Sequence, residues 1–313
     1  MGSHTVAVFA PMLTLTVTVE SGGPDEGDEI HIHAGGQGVW VARMLRELGE
    51  RPTICGPVGG EVGRVIHGLI NEWEIDLSTV EIHGSSPATV QDRRSGERQL
   101  IAEGEPLILE RHELDDLYGK FLDLALGSKV AVITGQLGEV IPTDTYRRLG
   151  HDLAAVGVTV VADVHGRDLS ALLEGGPIRI LKVSDENLVE DGLLEGDDEE
   201  AALSVMDRLA ADGAEAVVLS RADRPALARL DGAVFRAITP DLEPAETRGA
   251  GDSMTAGLAA GVSRGMDAVE MFKLGCAAGA ANVTRHGLGS ASEDLIETLA
   301  ERVEIETVSE ASP

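Results

Sequence analysis

From about residue 112 to residue 220, short runs of continuously apolar residues alternate with helical segments. A strand that is apolar along its whole length is buried on both faces, which is typical of parallel strands covered by helices on either side. The pattern therefore predicts an α/β protein with a mostly parallel sheet between two layers of helices. We expect its buried strands at residues 129–134, 158–162, 179–182 and 216–220.

The C-terminal third of the chain extends this pattern. Residues 226–230 and 234–238 are strand-like and are joined through Asp231-Gly232, a dipeptide typical of two-residue hairpin turns. We expect this hairpin at one edge of the parallel sheet. Three helices are expected to finish the chain, at residues 251–264, 267–284 and 293–301.

Two segments outside the parallel core show the alternation of half-exposed strands. The first contains residues 14–34, and the second, residues 79–102, contains three strand-like stretches. We expect these segments, about 12–34 and 79–104, to form a small sheet within a single domain of residues 1–313. Such a sheet is well placed to cover a cleft at the carboxyl ends of the core strands.

The charge of the chain limits what it can bind. It carries 54 acidic and 25 basic side chains, a formal net charge of −29, so we exclude nucleic acid and anionic membranes as general partners. We recognise no signal peptide and no apolar run long enough for a membrane span. The two cysteines, Cys55 and Cys276, lie in apolar surroundings and predict neither a zinc site nor a disulfide framework. We expect a protein of the reducing cytoplasm.

The strongest functional signal is residues 247–260, a polar turn with two glycines that opens into a helix of small residues. The first N–H groups of a helix have no partner within it and favour an anion such as phosphate. Gly249 and Gly251 allow that backbone to approach a ligand closely. Asp252, in the first helical turn, is either a general base for a substrate hydroxyl or a simple helix cap, and these residues alone do not decide between the two.

Three features in fixed order resemble the ribokinase (PfkB) family of sugar kinases. They are the Gly-Gly-Gln-Gly turn at residues 35–38, the α/β alternation that follows it, and Thr-Arg-Gly-Ala-Gly-Asp at residues 247–252. The chain is most similar to the branch of 1-phosphofructokinases and tagatose-6-phosphate kinases, whose pattern continues at residues 134–137, 162–166 and 278–287. The resemblance covers nearly the whole chain. It implies a ribokinase-like three-layer α/β/α sandwich with a small β-sheet lid, and self-association as a homodimer through that lid.

The resemblance also implies an activity: phosphoryl transfer from ATP, with Mg²⁺, to a hydroxyl of a small sugar or sugar-like acceptor. Asp252 is expected to accept the proton of that hydroxyl. The turn formed by Gly249, Ala250 and Gly251 is expected to stabilise charge on the transferred phosphoryl group. No P-loop sequence is present, so ATP binding would rest on this helix start.

For the nucleotide, the resemblance points to Ser220 at the end of its strand and to Asn282 and Gly287 around the adenine. Arg248 stands where the family usually has an uncharged residue. It either contacts phosphate oxygens or pairs with Glu246 at the surface.

The metal motif of the family, Asn-x-x-Glu, appears in altered form as residues 184–187, Ser-Asp-Glu-Asn. Mg²⁺ needs only one or two carboxylates together with substrate phosphates. Asp185 and Asn187 are therefore the candidate metal ligands.

The substrate-binding positions depart from the family pattern. Gly35 and Gly36 keep the family's turn, but Gln37 replaces a Lys that holds a substrate phosphate. Trp40 replaces an Asn that holds a sugar hydroxyl, and offers a flat surface suited to stacking. The family's early sugar-binding Asp falls near Thr14.

A fourth substitution lies in the lid, where the family's Arg falls near Ala88; we expect the nearby Arg93 and Arg94 on a solvated hairpin. Together the substitutions favour an unphosphorylated sugar or a nucleoside over a phosphorylated hexose. Two alternatives stay open. In the first alternative, the protein is a catalytically weak ligand-binding or regulatory homologue. In the second, it is a sugar-phosphate kinase in which Arg93, Arg94 or Arg248 replaces the missing Lys.

Overall fold

The computed structural model describes residues 5–22, 27–135, 140–196, 198–285 and 287–310. Its strands are β1 (Thr5–Phe9), β2 (Thr14–Glu20), β3 (Glu29–Gly35), β4 (Arg51–Cys55), β5 (Pro57–Gly59), β6 (Asp76–Leu77), β7 (Val80–Ile82), β8 (Ala88–Asp92), β9 (Gln99–Glu103), β10 (Val130–Thr134), β11 (Thr159–Asp163), β12 (Ile180–Ser184), β13 (Val217–Arg221), β14 (Arg224–Leu230), β15 (Ala233–Ile238) and β16 (Glu304–Ser309). Its helices are α1 (Gln37–Glu47), α2 (Gly60–Glu72), α3 (Arg111–Leu126), α4 (Thr143–Ala155), α5 (Gly166–Gly175), α6 (Asp185–Glu190), α7 (Glu199–Ala211), α8 (Ala250–Arg264), α9 (Ala268–Val283) and α10 (Glu293–Ala300).

Ten strands form one sheet in the order β16-β15-β14-β13-β12-β11-β10-β1-β4-β6. All neighbours from β13 to β6 are parallel, which confirms the four expected core strands as β10 to β13. Because the strands are parallel, their carboxyl ends meet at one edge. Thr134 of β10 and Asp163 of β11 are paired at that edge.

The predicted hairpin is confirmed, but it is not the edge of the sheet. β14 and β15 pair antiparallel across Asp231 and Gly232, whose φ angles of 49° and 84° suit a two-residue hairpin turn. β16 then pairs antiparallel with β15 and forms the outermost strand. We did not expect this strand from the sequence, because most of its side chains are exposed.

Helices cover both faces of the sheet, as the apolar strands predict. In β1, Val6 and Val8 face one core and Ala7 and Phe9 face the other. The first core lies under α1, α2, α8, α9 and α10, and the second under α3, α4, α5 and α7. The three-layer α/β/α sandwich is therefore confirmed. No helix among the described residues has the length and apolar character needed to cross a membrane.

The helices α8 and α9 pack unusually closely because their facing residues are small. A Cβ atom at Gly257 would lie 2.8 Å from both the Cα atom of Gly275 and the carbonyl oxygen of Leu274. Neither backbone atom can move away as the end of a flexible side chain could. This contact holds α8, and with it the start of the helix, against the rest of the core.

The lid is a separate four-stranded sheet in the order β3-β2-β8-β9. β2 pairs antiparallel with β3 and parallel with β8, so two distant segments of the chain build one sheet. The expected lid segment from residue 79 is too long: β7 pairs with β5 in a two-stranded sheet of its own. The second lid segment therefore begins at β8.

Candidate active site

The first turn of α8 follows Gly249, whose left-handed backbone, with φ of 73°, turns the chain into the helix. No side-chain cap is present at this helix start in the described structure. Asp252, in the first turn, instead accepts a hydrogen bond from its own backbone N–H. The helix start keeps the anion-binding character that the sequence predicts for residues 249–252.

Three ionisable side chains, Asp163, Lys182 and Asp252, are buried together at this turn, and none is more than 7% exposed. The Lys182 ammonium donates to the two carboxylate oxygens of Asp163 at 3.4 and 3.3 Å. The Thr255 hydroxyl donates to the same carboxylate at 2.7 Å. A Cβ atom at Gly251 would lie 2.6 Å from Lys182 Nζ, so the ammonium lies directly against the first turn of α8.

The environment of Asp252 changes its acidity. Burial raises the pKa of Asp252 to about 7, the negative charge of Asp163 acts in the same direction, and Lys182 opposes both. Asp252 Oδ1 is buried and accepts no hydrogen bond from any residue that the structure describes. Buried carboxylate oxygens are normally hydrogen-bonded, so an orphaned one at a helix N-terminus indicates a functional role. A pKa close to neutral suits a general base.

A cavity of about 1030 Å³ lies between the lid and the core. The structure brings all the residues expected to bind the substrate into its wall. They are Thr14, Gly35, Gly36, Gln37 and Trp40. Thr134 and Gly135, at the end of β10, line the same cavity and lie next to Asp163 in the sheet. Asp252 is buried rather than part of this wall, and Arg248, four residues before it, is a lining residue.

Charged residues from the lid and the core form one side of the cavity. Arg93 lies 3.4 Å from Glu20. Arg98 of the lid and Arg248 of the core lie 4.0 and 3.6 Å from the same residue, Glu246. Glu246 thus connects the lid hairpin, which is formed by β8 and β9, to the turn before α8. The Arg248–Glu246 pair that the sequence offered as one alternative is present.

The two neighbouring lid arginines differ in position. Arg94 is exposed and pairs with Asp92 and Asp28, as expected for a solvated hairpin. The same expectation is wrong for Arg93, which lines the cavity. The turn between β8 and β9 directs one of these side chains inward and the other outward.

Both tryptophans of the chain line this cavity. A Cβ atom at Gly35 would lie 3.8 Å from Trp40 Cζ2 and 3.1 Å from Thr14 Oγ1, so these side chains are neighbours. The Arg43 guanidinium stacks on the Trp73 ring, 4.6 Å from its centroid. The wall therefore combines flat apolar surface with a cation.

The expected nucleotide-binding residues lie apart. Ser220 is the last but one residue of β13. Asn282 is fully buried; its amide donates to the carbonyl of Arg248 at 2.7 Å and accepts from the N–H of Gly289 at 2.8 Å. Both ends of this amide are thus used within the protein, where they hold two turns together. Gly287 lines the cavity under the lid.

The two expected metal ligands are engaged by protein groups. Arg224 donates to Asp185 Oδ2 at 2.5 Å, and the N–H of Glu186 donates to Asp185 Oδ1 at 2.9 Å. The Ser184 hydroxyl lies 2.7 Å from Asn187 Oδ1. This arrangement does not fit a magnesium ion held directly by the pair, because a metal would have to displace Arg224.

Several site residues were not predicted from the sequence. Lys182 carried one weak signal, a lysine inside an otherwise apolar strand. Arg43 and Arg98 carried none, because charged residues on a helix and a hairpin are usually solvated. Part of the family pattern, residues 136–137 and His286, lies outside the described residues.

An α/β/α sandwich with a β-sheet lid over a cavity, and a buried carboxylate at a helix N-terminus, is the architecture of a carbohydrate kinase with a ribokinase-like fold. The chain belongs to the pfkB family carbohydrate kinases, whose family model matches residues 4–295.

Two curated relatives and a solved structure are similar along most of their length. The 1-phosphofructokinase of Bacillus subtilis (strain 168) is 28% identical over 273 residues, 87% of this chain and 88% of that enzyme. The tagatose-6-phosphate kinase of Staphylococcus epidermidis (strain ATCC 12228 / FDA PCI 1200) is 25% identical over 275 residues, 87% and 88% of the two chains. Phosphofructokinase-2 from Escherichia coli, in complex with potassium, matches with a TM-score of 0.84 at 24% identity, covering 96% of this chain and 99% of that one. This structure supports the fold.

Proposed function

We propose that the protein transfers the γ-phosphoryl group of ATP to a hydroxyl of a small sugar, with Asp252 as the general base. Membership of a carbohydrate kinase family supports the reaction class. The observation that carries the role of Asp252 is its orphaned, buried carboxylate oxygen at the start of α8, with a pKa close to 7. The residues from Gly249 to Gly251 supply the anion-binding turn beside it.

In the proposed reaction the Asp252 carboxylate takes the proton of the acceptor hydroxyl while the hydroxyl oxygen forms a bond to the γ-phosphorus. The bond from that phosphorus to the oxygen bridging it to the β-phosphate breaks, and ADP leaves with the bridging oxygen. The amides of Ala250, Gly251 and Asp252 stabilise charge on the transferred group. Lys182, which lies against Gly251, adds a positive charge close to the same position.

Mg²⁺, when present, would neutralise the nucleotide phosphates. Because Asp185 is paired with Arg224, we expect the ion to arrive with ATP rather than to be held by the altered motif. Arg224 is itself a cation at this edge of the sheet. Ser220 and Gly287 remain our candidates for nucleotide contacts, and Arg248 remains one for a phosphate contact.

The acceptor is proposed to bind in the cavity under the lid. Thr14 and Gln37 offer uncharged hydrogen-bonding groups, and Trp40 offers a flat surface. This wall is suited to the hydroxyl groups and apolar face of an unphosphorylated sugar or nucleoside. A single negative group on the acceptor would find no lysine among these positions.

An ADP-release assay with a panel of sugars, sugar phosphates and nucleosides tests the proposal. We expect Asp252→Asn to lower kcat by about a hundredfold or more, the usual contribution of a general base. Asp294→Asn is the matched control, because Asp294 is an exposed acid in the first turn of α10. Equal rates for Asp252→Asn and the native protein with every accepted substrate would disprove the role of Asp252. Sugar binding in calorimetry without any ADP release would instead support the ligand-binding homologue.

A second candidate, a sugar-phosphate acceptor, is favoured by the arginines of the cavity. Arg93 and Arg98 lie on the same lid hairpin and both line the wall. Burial, and then the like charge of Arg93, lower the pKa of Arg98. A bound phosphate would add a favourable anion beside these arginines, and the names of the relatives point to phosphorylated sugars.

Arg98→Gln separates the two candidates, with Arg94→Gln as a control on the same hairpin. If the acceptor carries a phosphate, Arg98→Gln should raise KM for sugar phosphates by about tenfold or more, since a charge-assisted contact is lost. Arg94→Gln should not change KM, because Arg94 points to solvent. Equal KM values for the native protein and Arg98→Gln would favour the unphosphorylated acceptor.

A further inference from the structure

A cluster of two histidines and a glutamate lies in the segments that connect the lid to the core. His83 follows β7, and His112 and Glu113 stand in the first turn of α3. One ligand atom of each side chain lies within 4.8 Å of the others. The imidazoles are 77% and 60% exposed, while the Glu113 side chain is 3% exposed.

Glu113 is held in a fixed orientation. The backbone N–H of His83 donates to its Oε1 atom at 2.7 Å, and the N–H of Glu110 donates to its Oε2 atom at 2.7 Å. The carboxylate is therefore aimed at His83, whose Nδ1 atom lies 3.1 Å from Oε1.

We propose that His83, His112 and Glu113 bind a divalent transition metal ion of the Zn²⁺ type. Two imidazole nitrogens and one carboxylate oxygen are a ligand set that Zn²⁺ accepts, whereas Mg²⁺ and Ca²⁺ require oxygen ligands. These three side chains leave a fourth coordination position for a water molecule. The exposed imidazoles can rotate the short distance needed to bring their nitrogens to about 2.0–2.1 Å from the metal.

The position of the metal site in the chain means that a bound ion would affect the lid. His83 precedes β8 and His112 follows β9, so the two connections of the lid hairpin meet at this cluster. A metal ion would join these connections and restrict the hairpin that carries Arg93 and Arg98 to the cavity. Zn²⁺ is thus expected to stabilise the lid attachment, whichever acceptor the cavity binds.

Titration of the untagged, chelator-treated protein with Zn²⁺ in a calorimeter tests the site. We expect one ion per chain to bind at this site, and His83→Asn and His112→Asn each to weaken its binding by about tenfold or more. His151→Asn is the matched control, because His151 is exposed beside an acid in α4. His33→Asn is a second control, since His31 and His33 form another pair of neighbouring imidazoles.

Thermal unfolding gives an independent readout. Zn²⁺ should raise the Tm of the native protein and of both control variants but not that of His83→Asn or His112→Asn. Circular dichroism without metal verifies that these exposed substitutions leave the fold intact. Zn²⁺ binding that is equally tight in the native protein and in both cluster variants would overturn the proposal, as would the absence of binding to the native protein.

Discussion

Asp252 is placed where its ionised form is unfavourable. Burial and the neighbouring Asp163 both raise its pKa, and the neighbouring cation, Lys182, is already bonded to Asp163. The residue therefore exchanges a proton near neutral pH, which is the property that a general base needs. The same arrangement means that the ionised form of Asp252 lowers the free energy of unfolding of the protein.

The pH dependence of the reaction should follow this carboxyl group. Below a pKa of about 7 the carboxyl is protonated and cannot accept the proton of the acceptor hydroxyl, so kcat/KM should fall as pH decreases through this value. Steady-state rates measured from about pH 5 to about pH 9 check this expectation. A profile that stays flat across that range would show that Asp252 is not the titrating base.

The stability of the protein should respond to the same group. The pKa of Asp252 is higher in the folded state than its ordinary value, so its contribution to stability is present at low pH and is lost as pH rises through about 7. We expect Asp252→Asn to have a higher Tm than the native protein at about pH 8 and a similar Tm at about pH 4. Paired calorimetric scans at both values measure the difference, and an Asn variant that is less stable at the higher pH would contradict it.

The sequence located the turn at Gly249–Asp252 because its signal is local: glycines, a helix start and an acid within a few residues. It did not locate Lys182 as a partner of Asp163, because that contact joins two strands. That Thr14, Gln37 and Trp40 share one cavity wall was likewise only an expectation, because it also depends on the tertiary fold. Local chemistry is readable from residue types, whereas the partners of a charged side chain depend on the tertiary fold.

At the level of elements, the buried strands were the easiest to predict. β10 to β13 are mostly apolar because both faces are covered. β7 misled the prediction because its buried, exposed, buried pattern is that of a lid strand, although its partner is β5. β16 was missed because an exposed edge strand needs no continuous apolar run. Pattern alone thus reports burial, and it does not identify the pairing partner.

The close packing of α8 on α9 gives a prediction for Gly257. Gly257→Ala should destabilise the fold by about 1–3 kcal/mol, because the new Cβ atom would meet backbone atoms at 2.8 Å. Gly68→Ala in α2 is the control: its Cβ would meet no atom within 4 Å, so it should stabilise the helix by about 0.5–1 kcal/mol. Urea unfolding of both variants measures the two effects, and similar changes in both would refute the packing argument.

At the scale of the whole molecule, the lid leaves apolar surface uncovered. Ile30 on β3 is 66% exposed, and Leu100 and Ile101 on β9 are 53% and 55% exposed. These strands are the two edges of the lid sheet, where unpaired backbone groups also invite another chain. We propose that a second copy of the chain covers this surface.

Sedimentation of single variants tests this proposal. Ile30→Gln and Ile101→Gln should shift the protein toward the monomer, because each removes apolar area from the lid edges. Leu126→Gln is the control, since Leu126 is equally exposed at 55% but lies at the end of α3, away from the lid. A native protein that sediments as a monomer at micromolar concentration would refute lid-mediated association.

The presence of both tryptophans in one cavity has a practical consequence. Indole fluorescence depends on the polarity and the charges around the ring, and here every emitting side chain of this kind lies in the wall that is expected to meet the acceptor. The intensity and wavelength of that emission should therefore report ligand entry without any attached dye. Trp40→Phe and Trp73→Phe would assign the signal to one ring, and a shift in the emission of Trp73 would report movement of the Arg43 guanidinium stacked on it.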